Sequence, residues 1–362
     1  MTPAFDAILL LSFGGPEGPD DVVPFLENVT RGRGVPRERL EEVAEQYLLF
    51  GGRSPINDQN KALLEALRAE LDRRGQNLPL HWGNRNWAPF VEDVLGEITA
   101  AGHRRVLAVS TSAYSSYSAC RQYLDDIDRA VAAVRDAGGD PPAVEKVRPY
   151  WNHPGFVLAM VERVHAALEA LSAADRNRAR LVFTAHSVPL SMAETSDYQA
   201  QLLDEATMIV ERVAVPRIGA ARNGGADDDR GWDLVYQSRS GPPQVPWLEP
   251  DIVDHLGALH GRGEDVVIVV PIGFTSDHME VVYDLDTQAA DAAKELGMTM
   301  VRAGTVGTHP LFVRGLVDVL EEHLVGRLPA ALGALGPRVN PCRPGCCPAP
   351  ARPVAGRPTA RP

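Results

Sequence analysis

The sequence predicts an α/β protein made of two doubly wound domains, each with a four-stranded parallel sheet, and a ligand cleft between them. Two successive sets of four short apolar runs carry this reading. The first falls at residues 7–13, 78–83, 106–110 and 144–149, the second at 181–185, 234–237, 266–271 and 298–301. Unbroken apolar runs rich in β-branched residues suit strands covered on both faces, as parallel sheets are. Amphipathic helical patterns lie between the runs. Residues 60–73 place Leu63, Leu64, Leu67 and Leu71 on one stripe, and residues 155–171 do the same with Phe156, Met160, Val164 and Leu168. Four and four divides the chain into residues 1–150, residues 151–330, and a cysteine-bearing extension and tail over 331–362.

In order, the first strand ends in the elbow Ser12-Phe13-Gly14-Gly15-Pro16. It lacks the third glycine of a dinucleotide loop and the lysine of a phosphate loop. Residues 28–39 then hold four arginines within nine positions, Arg31, Arg33, Arg37 and Arg39. Taken alone, this is an ordinary solvated charge run. The fifth strand ends in Phe183-Thr184-Ala185-His186-Ser187-Val188-Pro189, where Pro189 and Ser191 argue against an immediate helix and leave His186 in an irregular connection at the sheet's rim.

The seventh strand, Asp265-Val266-Val267-Ile268-Val269-Val270, flips abruptly into Thr275-Ser276-Asp277-His278-Met279-Glu280. Ser276 is the expected N-cap of a helix running to about Glu295. Asp277, Glu280 and Asp284 would share one face of it. Such carboxylates also simply complement a helix dipole. Two histidine-bearing elbows at strand ends of one sheet nonetheless converge on one crevice, where ligands sit. An imidazole beside a file of carboxylates suits a divalent metal, proton traffic, or both.

Composition bounds the possibilities. A chain of 362 residues, 44% hydrophobic and 23% charged, can bury a large core. Its net charge of −12 argues against nucleic acid as a partner. No apolar run approaches the roughly 18 residues of a membrane span. The N-terminus lacks a basic region, and residues 7–13 are too short for a signal-peptide core, so a cytoplasmic location is expected. Residues 222–231 read as a solvated insert. The tail over 348–362, rich in Pro, Ala and Arg with no acid, is expected to be disordered.

Five ordered motifs resemble the ferrochelatase family, which inserts ferrous iron into porphyrins during haem synthesis. They are Leu11-Ser12-Phe13-Gly14-Gly15-Pro16-Glu17, Gly51-Gly52-Arg53-Ser54-Pro55-Ile56 and the His186 elbow. Gln237-Ser238-Arg239-Ser240-Gly241-Pro242 with Pro246-Trp247-Leu248, and the Glu280 elbow, complete the set. The resemblance spans about Ala7 to Leu328. It implies Rossmann-like, chelatase-type domains and a lyase-class metallochelatase. His186 would be the proton acceptor or iron ligand, with Glu280 opposing it. Asp277 and His278 would hold that pair from behind, and Asp284 would extend an acidic path. Phe13, Tyr47, Ser54, Tyr123 and Trp247 become candidates for the porphyrin wall, Phe13 for ring packing alone because related bacterial chains often carry tyrosine there. The first-elbow glycines would let backbone approach a flat ligand.

Against this family the arginine-rich lip gains meaning, because membrane-associated ferrochelatases have an apolar one. Arg31 and Arg33 suit porphyrin propionates through bidentate pairing. Four propionates fit such a lip better than two, so coproporphyrin III, giving coproheme, is the expected substrate. Protoporphyrin IX is the alternative, followed by cobalt and an early corrin precursor, and by a non-enzymatic bilobal metal or haem carrier. A downstream haem-pathway enzyme would take the product. The four cysteines, Cys120, Cys342, Cys346 and Cys347, match the number and placement by which some ferrochelatases hold a 2Fe-2S cluster. Zinc or free thiols are the alternatives.

Overall fold

The computed structural model describes residues 5–32, 34–213, 231–241 and 243–349. Arg33, Pro242, most of the expected insert over 222–231, and the tail from residue 350 lie outside the described residues.

Among the described residues, eight strands form two four-stranded sheets. β1 (Ala7–Ser12), β2 (Leu80–Asn84), β3 (Arg105–Ser110) and β4 (Ala143–Lys146) assemble in the order β2-β1-β3-β4. β5 (Arg180–His186), β6 (Trp232–Gln237), β7 (Val266–Val270) and β8 (Thr299–Arg302) repeat that order as β6-β5-β7-β8. All pairings are parallel. The central strands are the most apolar in sequence and are fully covered, β1 and β7 along their whole length. Parallel strands need crossover connections, and helices supply them on both faces.

In the first sheet the crossovers include α1 (Val22–Val29), α2 (Arg37–Leu48), α3 (Ile56–Arg73), α4 (Val91–Ala100) and α5 (Gln122–Asp136). The second uses α6 (Pro154–Glu169), α7 (Ala173–Arg178), α8 (Leu190–Ala193), α9 (Tyr198–Val210) and α10 (Ile252–Gly261). After β7 comes α11 (Met279–Tyr283), which runs through a π-turn at Asp284–Ala289 into α12 (Ala290–Glu295); α13 (Pro310–Leu324) follows β8. The helix expected at 60–73 starts earlier, at Ile56 after Pro55, and the one expected at 155–171 runs from Pro154 to Glu169, where proline at the first helical position costs no hydrogen bond.

The outer faces of the sheets carry separate cores. Ala7, Leu9 and Leu11 pack under α4 and α5, while Val182, Val267 and Val269 pack under α10 and Leu285. The inner faces share one apolar cluster, from Leu10 and Val109 through Phe156 and Leu316 to Phe183 and Ile268. α13 leaves the second sheet and packs on α3 of the first. Arg74, beside the end of α3, reaches Asp318 at 2.6 Å and Glu321 at 2.9 Å. The two sheets are thus joined by a common core, which fixes the distance between their carboxyl-end loops. Among the described residues no helix is long and apolar enough to cross a membrane.

Candidate functional site

The two histidine-bearing elbows meet. β5 and β7 are paired in the sheet, so the residues that leave their carboxyl ends are neighbours. His186 is the last residue of β5, and its Nε2 lies 3.6 Å from Oε1 of Glu280. The two side chains keep 30% and 46% of their surface, so an incoming ligand can reach both. His186 is held from the other side. Its Nδ1 contacts the Ser187 carbonyl closely, and Tyr198 donates its hydroxyl to the His186 carbonyl at 3.1 Å.

Glu280 sits in the first turn of α11. Gln237 at the end of β6 donates to the Glu280 carbonyl at 2.8 Å. The helix is capped by His278, whose Nδ1 accepts the Glu280 N–H at 3.2 Å. This corrects the expectation that Ser276 is the cap. Residues 275–277 are instead drawn away by bonds to other elements. Thr275 donates to the Thr111 carbonyl at 2.8 Å, and the Asp277 N–H donates to Gln59 at 2.9 Å. The Asp277 carboxylate accepts from Arg302 at 3.1 Å and Thr305 at 3.3 Å. Asp277 therefore stands outside the helix, and the expected row of three carboxylates reduces to Glu280 and Asp284. A second correction concerns Pro189, which directly precedes the short α8 rather than preventing a helix. Proline's missing N–H is harmless at a helix start.

Electrostatics separate these groups. Burial opposes charge on His186, but the Glu280 carboxylate and the Ser187 carbonyl outweigh it and raise its pKa. Burial pushes the Glu280 carboxyl up, yet the His186 imidazole overcomes this and holds it at about 2. The pair therefore favours imidazolium and carboxylate. Asp284 is the opposite case. Burial pushes it up to about 7, with the charge of Glu280 adding to the effect against the Ser238 hydroxyl bonded to it. Burial lowers His278, so its ring stays a neutral cap, edge-on to Phe274 with centroids 4.8 Å apart.

The expected wall residues divide. Tyr47, on α2, is half-buried, and burial together with the Glu280 and Asp284 carboxylates raises its hydroxyl well above the usual range. Phe13 is partly exposed and packs edge-on to Phe25, whose ring also neighbours Tyr47. Trp247 pairs by backbone with Pro189, beside the His186 elbow. Ser54 and Tyr123 are both buried. Ser54 is buried where a side chain on Gly15 would have to pass, and Tyr123 is buried under the Arg85 guanidinium, 4.0 Å from its ring centroid. Arg31 is exposed at the lip, bonded to Asn28, and lines a polar pocket with Asn86, Tyr117 and Gln122.

The residues that sequence reasoning missed act through single contacts: Tyr198 on His186, Ser238 on Asp284, Arg302 and Thr305 on Asp277. Only Ser238 lay in a quoted motif, and nothing in its spacing pointed at Asp284.

The cysteines also gather. Cys342 neighbours Cys120 and Cys346, and Cys346 neighbours Cys347, all four as free thiols. The Cys342 contact, together with nearby Lys146, lowers Cys120 to about 5, whereas burial pushes Cys347 up to about 12. Among the described residues no three or more His, Cys, Asp or Glu side chains are arranged around a single ion position.

The ferrochelatase family model matches residues 5–324. A coproporphyrin III ferrochelatase of Streptomyces coelicolor is 51% identical over 367 residues, covering 97% of this chain and 96% of the relative. One of Nocardia farcinica is 53% identical over 358 residues, covering 97% and 99%. A ferrochelatase of Rhodopirellula baltica is 47% identical, covering 95% and 94%. Among solved structures, SirB from Bacillus subtilis with Fe3+ superposes with a TM-score of 0.52 at 13% identity, covering 88% of this chain and 96% of that one, which is a likeness of fold. By the extent of the family match and the identity to these relatives, the chain belongs to the ferrochelatase family.

Proposed function

We propose that this chain inserts ferrous iron into coproporphyrin III to give coproheme, a lyase-class step of haem synthesis carried out in the cytoplasm. The observation that carries the reading is the 3.6 Å approach of His186 to Glu280 at two adjacent strand ends, with both side chains open to the cleft. Metallation releases two pyrrole protons for each ferrous ion taken up, so the site must handle metal and protons together. Glu280, ionised across the physiological range, supplies an anionic oxygen for iron. His186 passes its proton toward Asp284 and solvent as iron approaches, then accepts the two pyrrole protons one after the other, each leaving by the same route. Asp284, titrating at about 7, passes protons onward from the cleft. Tyr47, Phe13 and Trp247 provide flat surfaces for the macrocycle.

Substrate choice rests on the lip and on the similarity to coproporphyrin III ferrochelatases such as those of Streptomyces coelicolor and Nocardia farcinica. Exposed Arg31, with Arg33 two residues on, offers guanidinium pairing to propionates. Anaerobic incubation with ferrous iron and each porphyrin, followed by absorbance, tests this. The expected result is a higher kcat/KM for coproporphyrin III than for protoporphyrin IX. Replacing Arg31 with Ala should weaken coproporphyrin binding most at low salt, where ion pairing is least screened. A preference for protoporphyrin IX would overturn the substrate assignment.

The reading includes a 2Fe-2S cluster held by Cys120, Cys342, Cys346 and Cys347. The donor chemistry fits, because four thiols that neighbour one another in series, Cys120 beside Cys342, Cys342 beside Cys346 and Cys346 beside Cys347, could supply two thiolates for each of two irons. When bound, such a cluster would supply a one-electron redox centre and a covalent tie. It also includes a division of the chain near residue 150 and a downstream enzyme that takes the product.

A further inference from the structure

Tyr114 and Glu205 form a buried contact that the chemistry above does not use. Tyr114 follows β3 in the first sheet's loops, and Glu205 lies on α9, which begins twelve residues after His186. Glu205 has no exposed surface and Tyr114 keeps 2%. The Tyr114 oxygen makes two close contacts: with Oε2 of Glu205, and with the Ile272 carbonyl oxygen at 2.8 Å.

A phenol has one proton, and a carbonyl can only accept. Tyr114 can serve only one of these two acceptors, so both contacts are satisfied together only if its proton goes to Ile272 and the Glu205 carboxyl carries a proton of its own and donates it. The other oxygen of Glu205, Oε1, is buried without a partner. That is tolerable for the carbonyl oxygen of a neutral acid and costly for a carboxylate. The groups around the pair are Asp204, whose charge opposes ionisation of Glu205, and the phenols of Tyr198 and Tyr150 near Tyr114. Burial, the largest influence, pushes Glu205 well above the usual carboxyl range.

The accepting carbonyl sits where the two reactive strand ends are set against each other. Gly273, the next residue, donates to the Thr184 carbonyl at 3.1 Å, two residues before His186. A side chain at Gly273 would approach the Ala185 Cα at 2.6 Å. The turn at residues 271–273 thus rests on β5 and leads into the segment that carries Glu280. We propose that protonated Glu205 and Tyr114 are positioning residues: their proton chain, carboxyl to phenol to the Ile272 carbonyl, holds this turn and with it the spacing of His186 and Glu280. The inference rests on the reading of that pair as the reacting one.

The test compares wild type with Glu205→Gln and Tyr114→Phe. Glu205 has a folded pKa above its ordinary value of 4.5, so its stabilising share is full below that pH and is lost as pH rises toward the folded value. Above 4.5 the unfolding constant of wild type should therefore climb tenfold more per pH unit than that of Glu205→Gln. Infrared difference spectra of wild type against Glu205→Gln should show one buried, protonated carboxyl band that persists well above pH 4.5. Glu205→Gln, which keeps an amide donor for Tyr114, should retain kcat. Tyr114→Phe should lower kcat for iron insertion about tenfold with the porphyrin KM unchanged, as a displaced reacting pair does.

Equal pH slopes, or no carboxyl band, would overturn the protonated chain. Full kcat in Tyr114→Phe would overturn the positioning role. If Tyr114→Phe does not fold, the slope and the band still decide the proton assignment, and a porphyrin KM that shifts with unchanged kcat in Glu205→Ala would refute positioning. Should wild type fail to insert iron at all, the proposed function falls while the slope and the band remain readable.

Discussion

Glu280 and Asp284 stand one helical turn apart and titrate far from each other, at about 2 and about 7. Burial pushes both carboxyls up; the imidazole facing Glu280 overcomes it, whereas at Asp284 the Ser238 hydroxyl does not and the Glu280 charge adds to it. Glu280 is therefore suited to hold a cation and Asp284 to exchange protons. Replacing His186 with Ala should reduce iron insertion at least roughly 100-fold, the usual scale for loss of a general base, with porphyrin binding retained. Binding by fluorescence quenching beside a stopped-flow rate checks this, and retention of most activity would remove His186 from the mechanism. Asp284 adds a pH limb. The insertion rate should rise with pH through about 7 as its proton is released, and Asp284→Asn should flatten that limb. The sign for stability follows from the same shift. The folded pKa is raised above 3.8, so stability is full below that value and is lost as pH rises toward 7. Asp284→Asn should accordingly raise the melting temperature at pH 8 more than at pH 4.

Among the elements, α11 shows how a helix start can be built for a site. Its cap is an imidazole fixed by Phe274, and the helix passes at Asp284 into a π-turn. Single π-turns carry an extra residue and recur at functional sites. Here the turn begins at the residue with the raised carboxyl. Helix α13 has a different task. Its Asp318 and Glu321 share the Arg74 guanidinium, which is also bonded to Glu70, and all four side chains are largely covered. Arg74→Ala would leave three carboxylates close together without their common cation. Arg73 and Arg327 still reach these carboxylates, so a loss of about 1.5–3 kcal/mol is expected, the scale of a lost charged hydrogen bond, measured by urea unfolding at pH 7. Lowering the pH should narrow the deficit. Glu70, held at about 2 by Arg73 and Arg74, contributes stability above its ordinary value of 4.5 that is lost as pH falls through about 2.

Across the whole molecule, the extension after α13 ties the two sheets together. The Leu332 N–H donates to the Asn152 carbonyl at 2.8 Å, the Ala334 N–H donates to Asp204 at 3.1 Å, and Arg338 pairs with Asp197 at the start of α9. It then brings Cys342, Cys346 and Cys347 to Cys120. If the four thiols hold a 2Fe-2S cluster, anaerobically purified protein should contain two irons and two acid-labile sulfides per chain. Cys120→Ser should abolish the visible absorbance and lower the melting temperature, since ligand binding to the native state stabilises it. Stoichiometric zinc without sulfide would replace the cluster by a structural metal.

The apolar runs determined the strands, because a strand covered on both faces must be apolar along its length. Their alternation with helices determined parallel sheets, and the polar elbows after β5 and β7 marked His186 and Glu280 as partners. The order of strands within a sheet, the sharing of one inner core, and the return of α13 onto α3 depend on contacts between residues far apart in sequence. Those contacts also decided the charge states. Nothing in the spacing of Glu280, Asp284 and Glu205 distinguishes three carboxyls that burial and partners separate so widely. Asp277 shows the same limit. Local pattern placed it on the helix with Glu280, but Gln59, Arg302 and Thr305, brought from other elements, pulled it off. A helical period records which residues could share a face, and the bonds offered by the rest of the fold decide which ones do.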